Sequence, residues 1–166
     1  MYALINCAGF GIFRPHEEIS VPDINRMISV NLAAPVILSK IFLRELKRNS
    51  GWIVNITSIE ALKHSKFSAL YTATKAGLRA FSLSLFEEAR RSGVKTVSIN
   101  PGMTRTGFFD NLNFEPAEGE ENALDPYEIA SVVLELLDGN GSAAVTDITI
   151  VPQKTGVKKK KRRDAG

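Results

Sequence analysis

A serine, a tyrosine and a lysine in the middle of the chain have the types and the spacing that acid–base chemistry needs. Tyr71 and Lys75 are four residues apart, so a helix would place both on one face. A tyrosine titrates near pH ~10, and a neighbouring ammonium favours the phenolate and lowers that pKa. Ser58 lies 13 residues before Tyr71, at the end of an apolar run, where its hydroxyl could hold a substrate oxygen. The three residues therefore predict a proton donor and acceptor with a hydroxyl beside it.

Apolar segments predict the elements that must position these residues. Short apolar runs are typical of buried parallel strands, and they occur at residues 2–6, 51–58, 94–100 and 144–151. Helix start and stop signals predict three long helices, at about residues 22–48, 69–92 and 125–138. The alternation predicts an α/β fold, a partial Rossmann-like doubly wound parallel sheet of about four strands and three main helices. Ligands of such sheets bind at the carboxyl ends of the strands, where Ser58 falls.

An asparagine on the first long helix is a second candidate. Asn31 falls on the apolar stripe of that helix, so its amide requires a hydrogen-bonding partner. Pro35 lies four residues later and has no N–H, so the Asn31 carbonyl loses its helical hydrogen bond. The residues leave two interpretations open: a core asparagine bonded to a neighbouring strand, or a backbone carbonyl that binds something else.

Five motifs in one order resemble the short-chain dehydrogenase/reductase family. Ser58, Tyr71 and Lys75 resemble its catalytic set, and Asn31 resembles its helix asparagine. Three further segments resemble its N-N-A-G turn, its N-I-S-S strand end and its P-G-x-x-x-T loop, and these are Asn6–Gly9, Asn55–Ser58 and Pro101–Thr106. The resemblance extends from Ala3 to about Pro152.

The resemblance implies an oxidoreductase that interconverts a carbonyl and an alcohol by hydride transfer with NAD or NADP, with a slight preference for NADP. It implies that Tyr71 is the general acid and base and that Ser58 binds the carbonyl oxygen. Lys75 would lower the Tyr71 pKa and hold the nicotinamide ribose, and Asn31 would hold a relay water. The expected cofactor-binding residues are Asn6, Ala8, Gly9, Tyr71, Lys75, Pro101, Gly102, Thr104 and Thr106. No metal site is predicted, and the substrate is expected to be a small molecule.

The glycine-rich T-G-x-x-x-G-x-G motif of the family does not occur in the sequence. Residues 1–152 are therefore expected to be the C-terminal two-thirds of such a domain, lacking roughly 60–80 residues at ~30 per strand–helix–strand unit. The strand at residues 2–6 would then be a bare sheet edge. We expect a chain of this kind to bind NAD(P)H poorly and to self-associate.

Composition limits the remaining classes of function. The chain is 44% hydrophobic and 23% charged, as in ordinary globular proteins, and no apolar run approaches the ~20 residues of a membrane span. Cys7 is the only cysteine, so an internal disulfide is impossible, which fits a cytoplasmic location. The basic residues 158–163 account for the net charge of +3, and residues 153–166 are expected to be a disordered tail.

Two alternatives to the enzyme follow from the same sequence. The first is a non-catalytic remnant that acts as a dimerisation partner through its long helices, and the resemblance itself implies a homodimer or homotetramer. The second is a nucleic-acid-binding accessory protein that uses the basic tail. Binding to nucleic acid is less expected, because no basic face with interleaved aromatic residues accompanies the tail.

Overall fold

The fold consists of six strands and four α-helices in the part of the chain that the computed structural model describes, residues 1–139 and 143–160. The strands are β1 (Ala3–Asn6), β2 (Trp52–Ile56), β3 (Lys95–Pro101), β4 (Phe114–Pro116), β5 (Asp147–Ile150) and β6 (Val157–Lys159). The helices are α1 (Val21–Ile28), α2 (Ala34–Arg48), α3 (Ala69–Ala89) and α4 (Pro126–Asp138).

Four of the strands form a parallel sheet in the order β1-β2-β3-β5. In the register of this sheet, Val54 pairs with Ile5 on one side and with Val97 on the other, and Ile99 pairs with Ile148. The carboxyl ends of all four strands therefore lie at the same edge. The predicted α/β fold with a parallel Rossmann-like sheet is confirmed, and β1 lies at one border of the sheet.

The sheet is covered on both faces, and its central strands β2 and β3 are almost entirely buried. Successive side chains point to opposite faces, so Ile53 packs with α2 and α3 while Val54 packs with α4. The first core contains Leu46, Ile53, Leu85, Ala89 and Val94. The second contains Trp52, Val54, Val97, Ile99 and Val133.

Helices α1 and α2 are two parts of one long helix joined by a π-helical segment at Ser29–Ala33. The N–H of Ala34 donates to the carbonyl of Ser29, five residues earlier. Pro35, which the sequence predicts to disturb this helix, lies directly after Ala34. It has no N–H, so it cannot donate to the Asn31 carbonyl. The wider turn places Asn31 on the inner side of the helix, where it is fully buried.

The long helix Val21–Arg48 has an apolar outer face. By length and composition it could cross a membrane, although core helices pass the same test, and 22% of its most apolar stretch is buried. Ile37, Leu38 and Ile41 are exposed on α2. No uninterrupted apolar run in the sequence is long enough to span a membrane. Apolar residues are nevertheless frequent enough in this helix for its mean hydropathy to meet the test.

A second, two-stranded sheet differs from the sequence-based prediction. Strand β6 pairs antiparallel with β4, and Lys158 forms ion pairs with Glu115 at 3.3 Å and Glu118 at 3.2 Å. Residues 153–160 therefore do not form the disordered tail that the sequence predicts. The acidic residues Glu115 and Glu118 pair with Lys158, and β4 pairs with β6. Residues 161–166 lie outside the described residues.

Candidate functional site

The three residues singled out in the sequence meet at the carboxyl edge of the sheet. Tyr71 and Lys75 lie one turn apart on α3, and Ser58 follows β2. All three are buried, with Tyr71 at 6% and Lys75 at 3% relative exposure. The Ser58 hydroxyl accepts a hydrogen bond from the Glu60 N–H at 3.1 Å, which begins a short 3₁₀ turn at Ile59–Ala61. The Ser58 side chain also interacts with the Tyr71 phenol, so the serine and the phenol lie on the same side of the sheet.

The neighbouring Thr57 has a different environment. Its hydroxyl donates to the Ile99 carbonyl at 2.8 Å and also contacts Ser98 and Asn100. Thr57 thus ties β2 to β3 inside the protein, which leaves Ser58 as the hydroxyl beside Tyr71.

The pKa of Tyr71 differs from the sequence-based expectation. Burial raises the pKa of the Tyr71 phenol to about 12, interaction with Ser58 lowers it, and the negative charge of Glu60 raises it further. Lys75 was expected to lower this pKa, but its Nζ lies 5.9 Å from the centroid of the Tyr71 ring. Desolvation by apolar neighbours is the largest influence on Tyr71, so the expected direction of the pKa change is wrong for this structure.

Lys75 is directed toward the end of β2. Its Nζ donates to the Ile56 carbonyl at 2.9 Å, the one protein acceptor it has among the described residues. Burial lowers the pKa of Lys75 to about 8, and the nearby Cys7 acts in the opposite direction. An ammonium with one acceptor retains N–H groups for a ligand, and its proton can exchange near neutral pH.

Asn31 connects the long helix to the loop after β1. Its Oδ1 accepts from the Phe10 N–H at 3.1 Å, and its Nδ2 donates to the Phe10 carbonyl at 2.9 Å and to the Thr74 hydroxyl at 3.2 Å. The side-chain amide of Asn31 is therefore hydrogen-bonded to the loop after β1 and to α3, and not to a neighbouring strand. A role of Asn31 in proton relay stays a prediction.

The turn after β1 passes directly over this group. A side chain at Gly9 would come within 3.1 Å of the Lys75 Nζ and 3.3 Å of the Asn31 Oδ1, and both Ala8 and Gly9 are exposed. Asn6 is buried, and its Nδ2 donates to the Asn55 Oδ1 at 2.8 Å. Asn6 thus holds β1 against β2, while the small residues after it leave the backbone accessible beside Lys75.

The loop after β3 lies at the same edge of the sheet. Pro101 ends β3, and the Gly102 N–H donates to the Ile150 carbonyl at 2.7 Å. The Thr104 hydroxyl donates to the Gly102 carbonyl at 3.1 Å. The Thr106 hydroxyl accepts from the Phe108 N–H at 3.2 Å, which caps the turn Gly107–Phe109. The two threonines therefore shape the loop, and the Thr106 hydroxyl keeps its own proton to donate.

The described residues fit a nicotinamide dinucleotide at this edge. Lys75 has donor capacity left over, a side chain at Gly9 would crowd Lys75 and Asn31, and the buried Asn55 Nδ2 has no partner among the described residues. Such donors suit ribose hydroxyls and carboxamide oxygens. Lys75, Gly9 and the loop from Gly102 to Thr106 would hold the nicotinamide end.

Two kinds of residue near Tyr71 were not predicted. Phe13 and Phe108 pack on the tyrosine ring, with centroids at 5.2 and 5.7 Å. Both lie on loops, where apolar periodicity gives no signal. Glu60 accepts hydrogen bonds from the hydroxyls of Ser65 and Ser68 and orders the loop before α3. In the sequence, only its position two residues after Ser58 indicates that Glu60 lies near Tyr71.

Comparison with known proteins identifies the same family. A family model described as short chain dehydrogenase matches residues 1–116. An uncharacterized oxidoreductase of Staphylococcus epidermidis is 33% identical over 150 residues, which cover 90% of this chain and 64% of the relative. A Staphylococcus aureus oxidoreductase is 32% identical, with 90% and 63% covered. The chain thus spans less than two-thirds of the length of these relatives.

Solved structures of dehydrogenases share the fold. An alcohol dehydrogenase from the archaeon Thermococcus sibiricus, complexed with 5-hydroxy-NADP, superposes with a TM-score of 0.80 at 29% identity, covering 90% of this chain and 62% of that one. A 4-hydroxyisoleucine dehydrogenase mutant complexed with NADH and succinate has a TM-score of 0.79 at 25% identity, covering 91% and 67%. With a family match over most of its length and this parallel sheet, the chain belongs to the short-chain dehydrogenase family.

Proposed function

We propose that the chain carries the catalytic and nicotinamide-binding part of an NAD(P)-dependent oxidoreductase that interconverts a carbonyl and an alcohol. The observation that carries the proposal is the meeting of Ser58, Tyr71 and Lys75 at the carboxyl edge of the sheet, with Asn31 and Gly9 against the lysine. Similar dehydrogenases contain NADH or an NADP derivative, so the choice between NAD and NADP stays open, with NADP slightly preferred.

Ser58, Tyr71 and Lys75 have different roles in the proposed carbonyl reduction. When bound, the reduced cofactor supplies a hydride, with both of its electrons, to the carbonyl carbon. Ser58 donates a hydrogen bond to the carbonyl oxygen, and Tyr71 transfers its phenolic proton to that oxygen as the alkoxide forms. The products are the alcohol, the oxidised cofactor and a tyrosinate, which regains a proton through Lys75 and solvent.

The buried lysine is suited to both of its proposed tasks. Its N–H groups bind the ribose hydroxyls of the cofactor, and its positive charge offsets part of the cost of forming the tyrosinate, whose pKa burial raises to about 12. A lysine whose pKa is lowered to about 8 exchanges protons at neutral pH more readily than an exposed one. Asn31 holds the Phe10 backbone and Thr74 in place, so it supports the turn that faces the cofactor.

A dimer through the long helices is part of the proposal. Ile37, Leu38 and Ile41 give α2 an exposed apolar stripe, and a second copy of the chain would remove this stripe from water. We also propose a cytoplasmic location, because Cys7 is the only cysteine and an internal disulfide is impossible. Analytical ultracentrifugation of the wild type and of Ile37→Glu tests the dimer, which the added charge should dissociate.

The enzymatic proposal is tested by following the oxidation of NADPH and NADH with a panel of aldehydes and ketones. Because the sequence predicts weak cofactor binding by this chain, the assay and the titration use high cofactor concentrations. Under these conditions wild type should consume the reduced cofactor with at least one carbonyl compound, and Tyr71→Phe should not. Calorimetric titration with the two oxidised cofactors tests binding separately. A chain that binds neither cofactor and reduces no carbonyl would favour the non-catalytic dimerisation partner instead.

A further inference from the structure

Tyr71 lies against a wall of phenylalanine rings. Phe13 and Phe108 contact its ring with centroid distances of 5.2 and 5.7 Å, and the two phenylalanines are 6.3 Å apart. Phe114 stacks edge-on behind Phe13 at 5.3 Å. The rest of this cluster is aliphatic or aromatic, and its buried members are Ile19, Met27, Leu70 and Tyr71. The side of the phenol away from Lys75 is therefore apolar.

A cleft opens on the other side of the same rings. It has a volume of about 380 Å³ and lies between the loop Phe10–Arg14 and the loop Phe108–Asn113. Phe13 and Phe108 line it, so these two rings separate the cleft from Tyr71. A molecule that enters through the cleft meets them before it reaches the phenol.

Three charged residues, Arg14, Asp23 and Arg26, also line the cleft, and two of them form an ion pair with each other. Arg26 bonds to Asp23 at 3.2 Å and stacks on the Phe10 ring at 4.9 Å. These groups belong to α1 and to the first loop, whereas the surface next to Tyr71 is built from rings. The chemistry that suits the inner position is an apolar or aromatic group attached to the reacting carbonyl.

Gly11 shows how closely the two rings are fitted. A Cβ at this position would lie 2.5 Å from one atom of the Phe13 ring and 2.8 Å from Phe108. Those atoms are the far ends of side chains, so an alanine would displace rings and not backbone. The positions of Phe13 and Phe108 therefore depend on the absence of a side chain at Gly11.

We propose that Phe13 and Phe108 determine the substrate specificity of the site, and that they select carbonyl compounds with an aromatic or bulky apolar group next to the carbonyl. This rests on the proposed function. The apolar group of the substrate packs against the two rings, with its carbonyl oxygen directed to the Tyr71 and Ser58 hydroxyls. A substrate with a polar group at that position loses water without gaining partners, and it is disfavoured.

Two methyl ketones that differ in one substituent test the proposal. Phenylacetone carries a benzyl group and hydroxyacetone carries a hydroxymethyl group. We expect the wild type to reduce phenylacetone with at least about tenfold higher kcat/KM, the range that apolar pocket contacts supply. Phe108→Ala and Phe13→Ala should reduce this preference about tenfold, and Gly11→Ala should lower it by displacing both rings. Phe108→Leu, which stays apolar, should retain most of it.

Tyr127→Ala is the matched control, because Tyr127 is an aromatic residue 81% exposed on α4 and distant in the fold from the rings. It should leave the ratio of the two kcat/KM values unchanged. Equal kcat/KM for both ketones in the wild type, or a ratio unchanged in Phe108→Ala and Phe13→Ala, overturns the specificity proposal while the reductase stands.

A binding experiment separates this proposal from the enzymatic one. Saturation-transfer NMR with each ketone detects contact without turnover. If no carbonyl compound is reduced, the proposed function fails, but stronger transfer to phenylacetone than to hydroxyacetone, lost in Phe108→Ala, still supports the apolar site. Equal transfer to both ketones, or transfer unaffected by Phe108→Ala, overturns it.

Discussion

The ammonium of Lys75 donates to the carbonyl of Ile56 at 2.9 Å, at the point where β2 ends. This bond joins α3 to the carboxyl edge of the sheet, and it brings the helix face with Tyr71 over Ser58. It also buries a cation that has one acceptor among the described residues, which lowers the pKa of Lys75 to about 8. The lysine is thus both a structural contact and the most strongly desolvated cation described.

We expect the stability of the protein to rise with pH between about 8 and 10 because of Lys75. The unfolded chain holds this proton up to about 10.5, whereas the folded chain releases it near 8, so the unfolded state binds more protons in this range. The gap between these values corresponds to roughly 3 kcal/mol. Urea unfolding at several pH values should show the rise in wild type and its loss in Lys75→Met.

The control for this measurement is Lys40→Met, which removes an exposed lysine from α2. It should keep the wild-type pH dependence. A Lys75→Met protein with the same pH dependence as wild type would contradict the assignment. Above pH 10 the trend should reverse, because Tyr71 keeps its proton to about 12 in the folded state and loses it near 10 when unfolded.

Replacing Tyr71 by phenylalanine should remove catalysis and retain the fold. The ring keeps its contacts with Phe13 and Phe108, while the proton donor is lost, so we expect turnover to fall at least about 100-fold. Steady-state kinetics and circular dichroism measure the two effects. Tyr127→Phe, at an exposed position, is the control, and near-normal turnover in Tyr71→Phe would rule out the tyrosine as the acid.

Glu60→Gln should lower the pKa of Tyr71 from its value of about 12. The negative charge of Glu60 disfavours the tyrosinate, and glutamine removes that charge while keeping one of the two side-chain oxygens that accept from Ser65 and Ser68. The rise of tyrosinate absorbance with pH, compared with Tyr71→Phe, isolates this residue. Glu87→Gln is the exposed control, and an unchanged or higher Tyr71 pKa in Glu60→Gln would disprove the coupling.

Lys160→Met should loosen the loop that carries Phe108. The Lys160 Nζ donates to the carbonyls of Phe109 and Asp110, so the residue after β6 fastens this loop. We expect faster hydrogen–deuterium exchange at residues 107–116 and no change in β3. Lys159→Met is the matched control, since no side-chain bond of Lys159 is found in the described part of the chain. Equal exchange in both variants would show that the hydrogen bonds of Lys160 to Phe109 and Asp110 do not hold this loop.

The parts of the molecule that follow from local sequence were predictable. Gly93 ends the helical region with a φ of 77°, and Asp125 with Glu128 forms a capping box at the start of α4, as their residue types indicate. The spacing of Tyr71 and Lys75 determined that both lie on one face of α3. Each of these features depends on residues only a few positions apart, so no distant contact is required.

The aromatic wall and the C-terminal strand were not predictable in this way. Phe13 and Phe108 are 95 positions apart on two loops, and only the packing of those loops over α3 brings both rings onto Tyr71. The pairing of β6 with β4 depends on a long-range match of basic and acidic residues. The sign of the Tyr71 pKa change has the same origin, because burial is a property of the assembled structure.

The sequence by itself thus determined the elements, their order and the chemical groups of the site. Periodicity, caps and residue spacing act over one or two helical turns, and they are readable along the chain. Only the tertiary structure decided what surrounds those groups: a phenol enclosed by rings, a lysine bound to a strand end and a tail paired with a loop. These features arise from contacts between distant segments, whose energies appear only when the chain has folded.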